Sequence, residues 1–490
     1  MIRADASTAI GSGHVMRCLS LGEALRQRGG EIEFVTQLTR GNLAKTISEH
    51  GFRLHELAER NQAERRDALD TLHAVGGADL YVVDHYSLGA TWETTIRMSG
   101  SDVIAIDDLA DRRHTASLVV DSTYPGDQER YAGLADGRLL LGTRFAMLSH
   151  IYTEFRQSPI ATHPEVVPRV LVYFGASDLP GVTLTALDAL TDSVFQELQV
   201  DVVVGPNNPH SEAINQTARS RNFWRIHEFQ ASLAHLLRQA TYAVTGGGVA
   251  LLERACLGVP GLTITLANNQ EPPTIALASA GVTHYVGSSG KVTSATIRDA
   301  LVTLTSSTAK CQEMSHAGMT AVDGLGASRV AEILLPTPLD RLSLRPANIQ
   351  DAHIYFGWVN ESDVRAQSLT SDAIDWDSHM AWFTDMMDSP FSHLYVLEAN
   401  GLPVAQARFE QRNETLLLAY SVDDLFRGRG LGVELVRQAI ASLPHNTPRK
   451  IEATVKASNH ASLTTLARAG FVTDNPKGIL GDRIRLSLER

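Results

Sequence analysis

A glycine-rich turn that carries a histidine precedes the first helical pattern of the chain. Gly11, Gly13 and His14 stand just before an apolar helical face that continues to Leu25. Glycines let backbone N–H groups approach an anion at a helix start, and the helix dipole there favours the neutral imidazole. His14 is therefore a candidate general base. The alternative interpretation is a capped helix with an exposed histidine.

A second glycine run follows the apolar segment at residues 242–244 and begins a helical pattern that ends near Gly258. Backbone donors and a helix dipole at such a junction suit a diphosphate without any metal. The sequence therefore predicts a diphosphate site at Gly246, Gly247 and Gly248. A surface turn is the alternative.

Polar side chains near this run predict recognition of a sugar and a ribose. Glu253 lies about one and a half turns into the helix, where a carboxylate suits a ribose diol. Asn269 and Gln270 follow the next apolar run, and amides at a strand end suit sugar hydroxyl or acetamido groups. A surface glutamate and an ordinary polar loop are the alternatives.

A third glycine-rich junction lies near the end of the chain. It follows the apolar run at residues 416–420 and precedes a helical pattern with Leu435 and Ala439. Successive N–H groups at such a junction suit a pyrophosphate, although a basic loop explains the same composition. The residues concerned are Arg427, Gly428, Arg429, Gly430, Leu431 and Gly432.

These motifs are placed by short β-branched runs that end in Asp, Gly or Ser. Runs without polar alternation indicate strands buried on both faces, which is typical of parallel sheets covered by helices. Breaks at Pro159–Pro168 and Pro336–Pro338 divide the pattern. We expect two doubly wound α/β domains, at 1–160 and 161–333, and an α+β domain at 340–490. In the last domain Asn400-Gly401 predicts a type I′ hairpin.

Composition limits the function classes. The 490 residues carry a formal net charge of −12, which argues against a general nucleic-acid or anionic-membrane binder. Three scattered cysteines form neither a disulfide framework nor a metal motif. Neither a signal peptide nor an 18-residue apolar run is present. We expect a cytoplasmic protein with no nucleic-acid or membrane partner.

Together, several motifs in residues 1–330 resemble a known hydrolase family. They are RADAS, GSGHVMRC, Asp84-His85-Tyr86, Asp107-Asp108, Gly175-Ala-Ser-Asp178, and GGGVALLERACLGVPGL with the later NNQ. This combination resembles the UDP-2,4-diacetamido-2,4,6-trideoxy-β-L-altropyranose hydrolases of pseudaminic acid biosynthesis, relatives of the MurG-type GT-B glycosyltransferases. The resemblance implies a GT-B-like pair of Rossmann-like domains.

The resemblance also implies roles for individual residues. His14 activates water for attack on the anomeric carbon with inversion, through a transition state of oxocarbenium character. Glu253 holds the ribose. Further substrate contacts are expected from Gly13, Arg17, His85, Tyr86, Gly246, Gly247, Gly248, Asn269 and Gln270. One departure from the family concerns its first strand, which the short stretch Met1–Arg3 leaves almost absent.

The end of the chain, about residues 340–490, resembles the GNAT acetyltransferases. The third glycine junction, Asn459-His-Ala-Ser462 and Gly470-Phe471 carry this likeness. It implies that residues 427–432 bind the pyrophosphate of acetyl-CoA and that Asn459 lies beside the pantetheine arm. Leu466 stands where the family often has a tyrosine acid, so no acid is assigned. Acetyl-CoA is the expected co-substrate, and no metal is expected.

Both resemblances fit consecutive steps with one UDP-amino sugar. We expect acetylation of the 4-amino UDP-sugar, followed by hydrolysis of the product to UDP and the free diacetamido sugar. Three alternatives stay open at this point. They are a GT-B glycosyltransferase fused to a GNAT domain, the equivalent enzyme for another nonulosonic acid, and a nucleotide-sugar binding module without catalysis.

Overall fold

The protein divides into two compact units, Met1–Leu335 and Pro336–Arg490. The computed structural model describes residues 1–8, 10–58, 63–157, 167–230, 232–368, 372–473, 479–480 and 482–490. The boundary predicted between 160 and 161 lies among residues 158–166, outside this described part. No described helix has the length and apolarity that a membrane crossing needs.

The first unit begins with a parallel sheet in the order β3-β2-β1-β4-β5-β6-β7. Valine, isoleucine and leucine fill the interior of most strands, because helices cover both faces. The strands are β1 (Ile2–Ala4), β2 (Glu33–Gln37), β3 (Arg53–Leu57), β4 (Leu80–Asp84), β5 (Asp102–Ile106), β6 (Leu118–Asp121) and β7 (Arg138–Leu141).

A second parallel sheet in the same unit repeats this winding, in the order β10-β9-β8-β11-β12-β13. In both sheets the winding direction reverses beside the first strand, which is the topology of doubly wound nucleotide-binding folds. The strands are β8 (Arg169–Tyr173), β9 (Gln199–Val204), β10 (Trp224–Glu228), β11 (Tyr242–Gly246), β12 (Gly261–Thr265) and β13 (His284–Ser288).

Helices follow most strands of these two sheets, and the last of them, α13, packs against α1. They are α1 (Gly13–Arg26), α2 (Ala44–Glu49), α3 (Glu64–Val75), α4 (Ala90–Arg97), α5 (His150–Gln157), α6 (Val182–Leu190), α7 (Ser211–Arg219), α8 (Ala234–Leu237), α9 (Val249–Cys256), α10 (Glu271–Ser279), α11 (Ser294–Thr305), α12 (Thr308–Ala321) and α13 (Gly326–Leu334). Short 3-10 helices lie at Gln128–Tyr131, Thr143–Phe145, Ser193–Phe195 and Asn268–Gln270.

The second unit is built on a mixed sheet in the order β14-β15-β16-β17-β18-β21-β19, with β20 beside β21. Its strands are β14 (Leu342–Pro346), β15 (Ser392–Ala399), β16 (Leu402–Arg412), β17 (Thr415–Val422), β18 (Lys450–Lys456), β19 (Val472–Thr473), β20 (Ile479–Leu480) and β21 (Arg483–Glu489). Its helices are α14 (Ala352–Asn360), α15 (Ser362–Gln367), α16 (Trp376–Asp388), α17 (Leu431–Ala441) and α18 (His460–Arg468), with 3-10 helices at Leu339–Arg341, Ile349–Asp351 and Asp424–Phe426.

The predicted fold class is confirmed, with two doubly wound parallel sheets followed by an α+β unit. The predicted hairpin is confirmed as well, since β15 and β16 pair antiparallel around Asn400 and Gly401, both at positive φ. The expectation of an almost absent first strand needs correction. β1 has three residues, yet it lies at the sheet centre and pairs with both β2 and β4.

A buried charge network anchors this short strand. Arg3 is fully buried and donates to Asp5 at 2.5 and 2.9 Å, and to Asp67 of α3 at 2.8 and 3.1 Å. Burial alone would lower the pKa of Arg3, but the two carboxylates raise it far above its ordinary value. β1 is therefore held by charge pairing as well as by its ladder.

Arg3→Leu is expected to lower the free energy of unfolding by about 3–5 kcal/mol, because it leaves two buried carboxylates without a counter-ion. Arg53→Leu is the matched control, since Arg53 is exposed and, among the described residues, pairs with Glu33 alone, at 3.1 Å. Its loss is expected to cost less than about 1 kcal/mol. Urea denaturation of both variants measures the difference, and equal midpoints would contradict the anchoring role.

Candidate functional site

The reversal points of the two parallel sheets both border one cavity of about 530 Å³. In the first sheet this point lies between β1 and β4, and in the second between β8 and β11. Ligands of doubly wound folds bind outside the carboxyl ends of strands at such points. The lining includes His14 and Tyr86 from the first half of the unit, and Phe174 and Gly247 from the second.

Most of the predicted substrate residues of the first unit lie around this cavity. The chain segments that carry them follow β1, β4, β11 and β12. The lining includes Gly13, His14, Arg17, Tyr86, Gly246, Gly247, Gly248, Asn269 and Gln270. The fold thus brings together residues that are up to 257 positions apart in the sequence.

His14 forms a dyad with the aspartate that ends β4. Its Nδ1 lies 2.5 Å from Oδ1 of Asp84, and its Nε2 has no hydrogen-bond partner among the described residues. A carboxylate on Nδ1 holds the proton there and leaves Nε2 as the basic nitrogen. The edge of the His14 ring also meets Tyr86, with ring centroids 4.4 Å apart. His14 is thereby fixed in orientation and is 4 % exposed.

Arg17 neutralises the same aspartate. Its Nε donates to Oδ2 of Asp84 at 2.5 Å, and its Nη1 donates to Asp108 at 3.0 Å. Burial would raise the pKa of Asp84, but the Arg17 guanidinium and His14 hold that pKa well below its usual range. Asp84 is therefore ionised at neutral pH.

Asp84 and Asp108 are site residues to which the sequence motifs alone assign no individual role. Both stand where a β-branched run of the sequence ends, and β4 and β5 are neighbours in the sheet. Polar residues directly after buried parallel strands are the signal that points to them. Asp108 lines the cavity, and its Oδ1 is buried without a partner in the described chain.

The opposite wall of the cavity is the glycine run at the start of α9. A Cβ on Gly247 would lie 2.7 Å from Oγ1 of Thr274, so a side chain there would collide with its neighbours. That hydroxyl is itself buried without a partner in the described chain, and Thr274 lines the cavity. The first N–H groups of a helix lack intrahelical partners, so this wall offers donors to an anion.

Two predicted residues are directed away from the cavity and are not among those that line it. The Nε2 of His85 lies 3.3 Å from Asp5, and its Nδ1 accepts from the N–H of Ser87. Glu253 shares a hydrogen bond with Tyr152 of α5. Burial raises the pKa of Glu253 to about 7. In both cases a neighbour from another element determines where the side chain lies.

In the second unit the predicted pyrophosphate loop precedes α17. Gly428 and Gly430 have φ of +80° and +84°, and no atom lies within 4 Å of a Cβ placed on Gly428. Leu431 begins the helix, and Gly432 packs closely against Thr465. An open turn of this kind at a helix start fits a pyrophosphate group.

The polar side chains of this loop have protein partners. Arg427 pairs with Glu361 and Asp363, while Arg429 lies over the ring of Phe426. The carboxylates of Glu361, Asp423 and Asp424 also lie close enough to one another to hold a cation. Protein donors already engage two of the three, since Trp358 donates to Asp423 at 2.9 Å and Arg427 meets Glu361.

β17 and β18 separate on one side of this loop. Residues Thr415–Leu417 of β17 pair in parallel with Lys450–Glu452 of β18. Beyond Leu417, β17 continues toward Val422 without β18 as a neighbour. The hydroxyl of Tyr420 lies 2.9 Å from Oγ of Ser462 on α18, one turn before the buried Leu466. Asn459 caps α18 by accepting from the N–H of Ser462.

The comparison with protein families explains this geometry. Residues 341–472 match the family model for an acetyltransferase (GNAT) domain. The second unit carries a GNAT domain. Acetyl-CoA is accordingly its co-substrate, and the glycine turn before α17 fits the pyrophosphate of that molecule.

Two named proteins are similar in sequence to a large part of the chain. The spore coat polysaccharide biosynthesis protein SpsG of Bacillus subtilis is 25 % identical over 68 % of this chain and 96 % of its own length. The UDP-2,4-diacetamido-2,4,6-trideoxy-β-L-altropyranose hydrolase of Campylobacter jejuni is 21 % identical over 57 % of this chain and 96 % of its own. The predicted fusion is confirmed, because one chain matches both these relatives and, over residues 341–472, the GNAT family model.

A solved structure also resembles the first part of the chain. Acinetobacter baumannii MurG aligns with 13 % identity and a TM-score of 0.49, over 68 % of this chain and 97 % of that protein.

Glu253→Gln is expected to change the pH dependence of stability. Between pH 4.5 and about 7 the folded protein holds a proton on Glu253 that the unfolded chain has lost. This group therefore makes stability fall as pH rises through that window. Between pH 4.5 and 7 the melting temperature of the variant should fall by less than that of the wild type. Glu313→Gln, at an exposed site of α12, is the control and should follow the wild type; three coinciding profiles would refute the assignment.

Gly430→Ala is expected to weaken CoA binding by about 5- to 30-fold. A side chain at φ +84° costs about 1–2 kcal/mol, so the free variant relaxes to another turn conformation and must regain the strained one in order to bind CoA. Isothermal titration with CoA measures the change. Gly357→Ala is the matched control, since that glycine lies in α14 with no atom near its Cβ position. If Gly430→Ala and Gly357→Ala both bound CoA as tightly as the wild type, the turn would not be the CoA site.

Proposed function

We propose that the chain is a bifunctional nucleotide-sugar enzyme. The GNAT unit acetylates the 4-amine of a UDP-4-amino sugar. The first unit hydrolyses the product, UDP-2,4-diacetamido-2,4,6-trideoxy-β-L-altropyranose, to UDP and the free sugar. The observation that carries this proposal is the His14–Asp84 dyad, which lies on a cavity whose other wall is the glycine start of α9.

For hydrolysis, a water molecule bound to Nε2 of His14 attacks the anomeric carbon as the C1–O bond breaks. The water proton moves to His14, the bonding electron pair leaves with UDP, and the configuration at C1 inverts. Asp84 stabilises the imidazolium that forms, as carboxylates do for histidine bases. UDP is a good leaving group, so the N–H groups at Gly246–Gly248 need only stabilise its charge.

The remaining residues of the cavity bind and orient the sugar nucleotide. Tyr86, Asn269 and Gln270 present a phenol and two amides, which match hydroxyl and acetamido groups. Arg17 is already engaged by Asp84 and Asp108, so its role is to position the dyad. Glu253 reaches a ribose only after leaving Tyr152, and burial lets it do so as a neutral acid near pH 7.

For acetyl transfer, the acceptor amine must be neutral in order to attack the thioester of acetyl-CoA, which supplies the acetyl group. The glycine turn before α17 holds the pyrophosphate, and Asn459 lies beside the pantetheine arm. The N–H groups of β17 near Tyr420–Val422 are free of β18 and can donate to the charge that develops on the carbonyl oxygen. The two reactions then follow each other, because acetylation makes the substrate of the hydrolase.

The likeness to SpsG favours a second candidate, in which the same pair of reactions acts on the UDP-amino sugar of another surface polysaccharide. Mass spectrometry of the UDP-4-amino sugar incubated with and without acetyl-CoA tests both. The proposal requires acetylation first and UDP release second. A stable acetylated UDP-sugar, consumed only when a sugar acceptor is added, would instead support a glycosyltransferase.

His14→Ala is expected to slow UDP release by about 100-fold or more, since general bases contribute about 10²–10⁴-fold. Acetyl transfer should proceed at the wild-type rate, so the acetylated UDP-sugar should accumulate. Coupled assays of UDP and CoA release follow the two steps separately. His73→Ala, an exposed histidine on α3, is the control. Unchanged UDP release in His14→Ala would exclude this residue as the base.

A further inference from the structure

An arginine in the GNAT unit has no ion-pair partner within bonding distance among the described residues. Arg408 lies on β16, half-buried, with its guanidinium carbon 4.7 Å from the ring centroid of Trp382 on α16. In the described part of the chain it makes neither a hydrogen bond nor an ion pair. Half-buried charges without a partner are costly, and burial lowers the pKa of Arg408 despite the nearby Glu410. A group that is destabilising in the free protein points to a ligand.

The face of the sheet on which Arg408 lies is the one covered by α14 and α16. Its neighbours Ala407 and Phe409 are fully buried on the opposite face, where Phe409 meets Tyr395. Side chains alternate along a strand, so Gln406 shares the face of Arg408. The Oε1 of Gln406 is buried without a partner in the described chain, while its Nε2 donates to Ser421. Two unsatisfied polar groups thus stand side by side.

These two groups flank the separation of β17 from β18. Arg408 pairs across the ladder with Ala419, and Gln406 pairs with Ser421. Both partners lie beyond Leu417, the last residue of β17 that pairs with β18. Neighbouring strands are about 4.8 Å apart, so Arg408 and Gln406 are within one or two strand spacings of the gap. That gap is where the acceptor amine must meet the thioester.

We propose that Arg408 binds the diphosphate of the acceptor substrate, and that Gln406 accepts a hydrogen bond from the sugar that carries the amine. This assignment rests on the proposed function, because it names how the GNAT unit selects a nucleotide-linked amino sugar over a free one. The planar guanidinium matches two phosphate oxygens at once, and Trp382 holds its plane in place. The site thereby recognises the end of the acceptor away from the reacting amine.

Acetyl-transfer kinetics with two acceptors test this selection. Arg408→Gln should raise KM for the UDP-4-amino sugar about 10- to 100-fold, since a hydrogen-bonded charge is lost. KM for the same amino sugar without its UDP should not change, and kcat should change little for either acceptor. Arg408→Lys should restore part of the affinity. The matched control is Arg412→Gln, an exposed arginine on the same strand. An equal effect on both acceptors, or none, would overturn the proposal.

Chemical protection tests the site without any acetyl transfer. Phenylglyoxal is applied to the full chain saturated with CoA, with and without inorganic pyrophosphate, and modification is mapped by peptide mass spectrometry. Pyrophosphate should protect Arg408 at least tenfold and leave Arg412 unprotected. Absence of protection, or an Arg408 that never reacts, would overturn the anion site. If the wild type leaves the UDP-4-amino sugar unacetylated while pyrophosphate protects Arg408, the proposed function fails and the anion site stands.

Discussion

The carboxylate of Asp84 is the group on which the site of the first unit depends. It is fully buried at the end of β4, a position where an isolated charge would be strongly unfavourable. His14 and Arg17, both from the first turns of α1, supply the compensation. This pairing fixes α1 against β4, orients the imidazole, and defines one wall of the cavity. Removal of either partner would leave this buried charge with less compensation, so the geometry of the base and the packing of the helix are coupled.

A similar logic explains how a strand of three residues forms the centre of a seven-stranded sheet. β1 is too short to be held by its ladder alone, and Arg3 ties it to Asp67 on α3. Asp5, directly after the strand, accepts from Arg3 and from the N–H of Gln37 on β2, and it lies beside His85 after β4. Ion pairs and a backbone hydrogen bond therefore hold three neighbouring strands together beside the candidate ligand cavity.

The sequence was sufficient to predict the fold class, and nine of the eleven site residues that it predicted for the first unit line the cavity. β-branched runs such as those of β4 and β5 indicated parallel strands, and Asn400-Gly401 indicated the hairpin, because these signals are local. The contacts between side chains, in contrast, join residues that are far apart in the sequence. The dyad of His14 and Asp84 spans 70 residues, and the contact of Glu253 with Tyr152 depends on how α5 packs. No sequence motif marks Arg408, since its lack of an ion-pair partner among the described residues is visible only in three dimensions.

The charge of the chain bears on how its two units would recognise one diphosphate. The first 340 residues hold −10 of the net −12, so long-range attraction cannot draw an anionic substrate to the first unit. Backbone N–H groups at Gly246–Gly248 avoid this difficulty, because helix-terminal dipoles act over a few ångströms and need no cationic side chain. The second unit, Pro336–Arg490, with a net charge of only −3, can use the side chain of Arg408 for the same purpose. In the proposed reactions the backbone site would hold the diphosphate while it leaves, whereas the guanidinium would hold it while the amine at another position of the sugar reacts. These two tasks differ enough to account for the two kinds of donor.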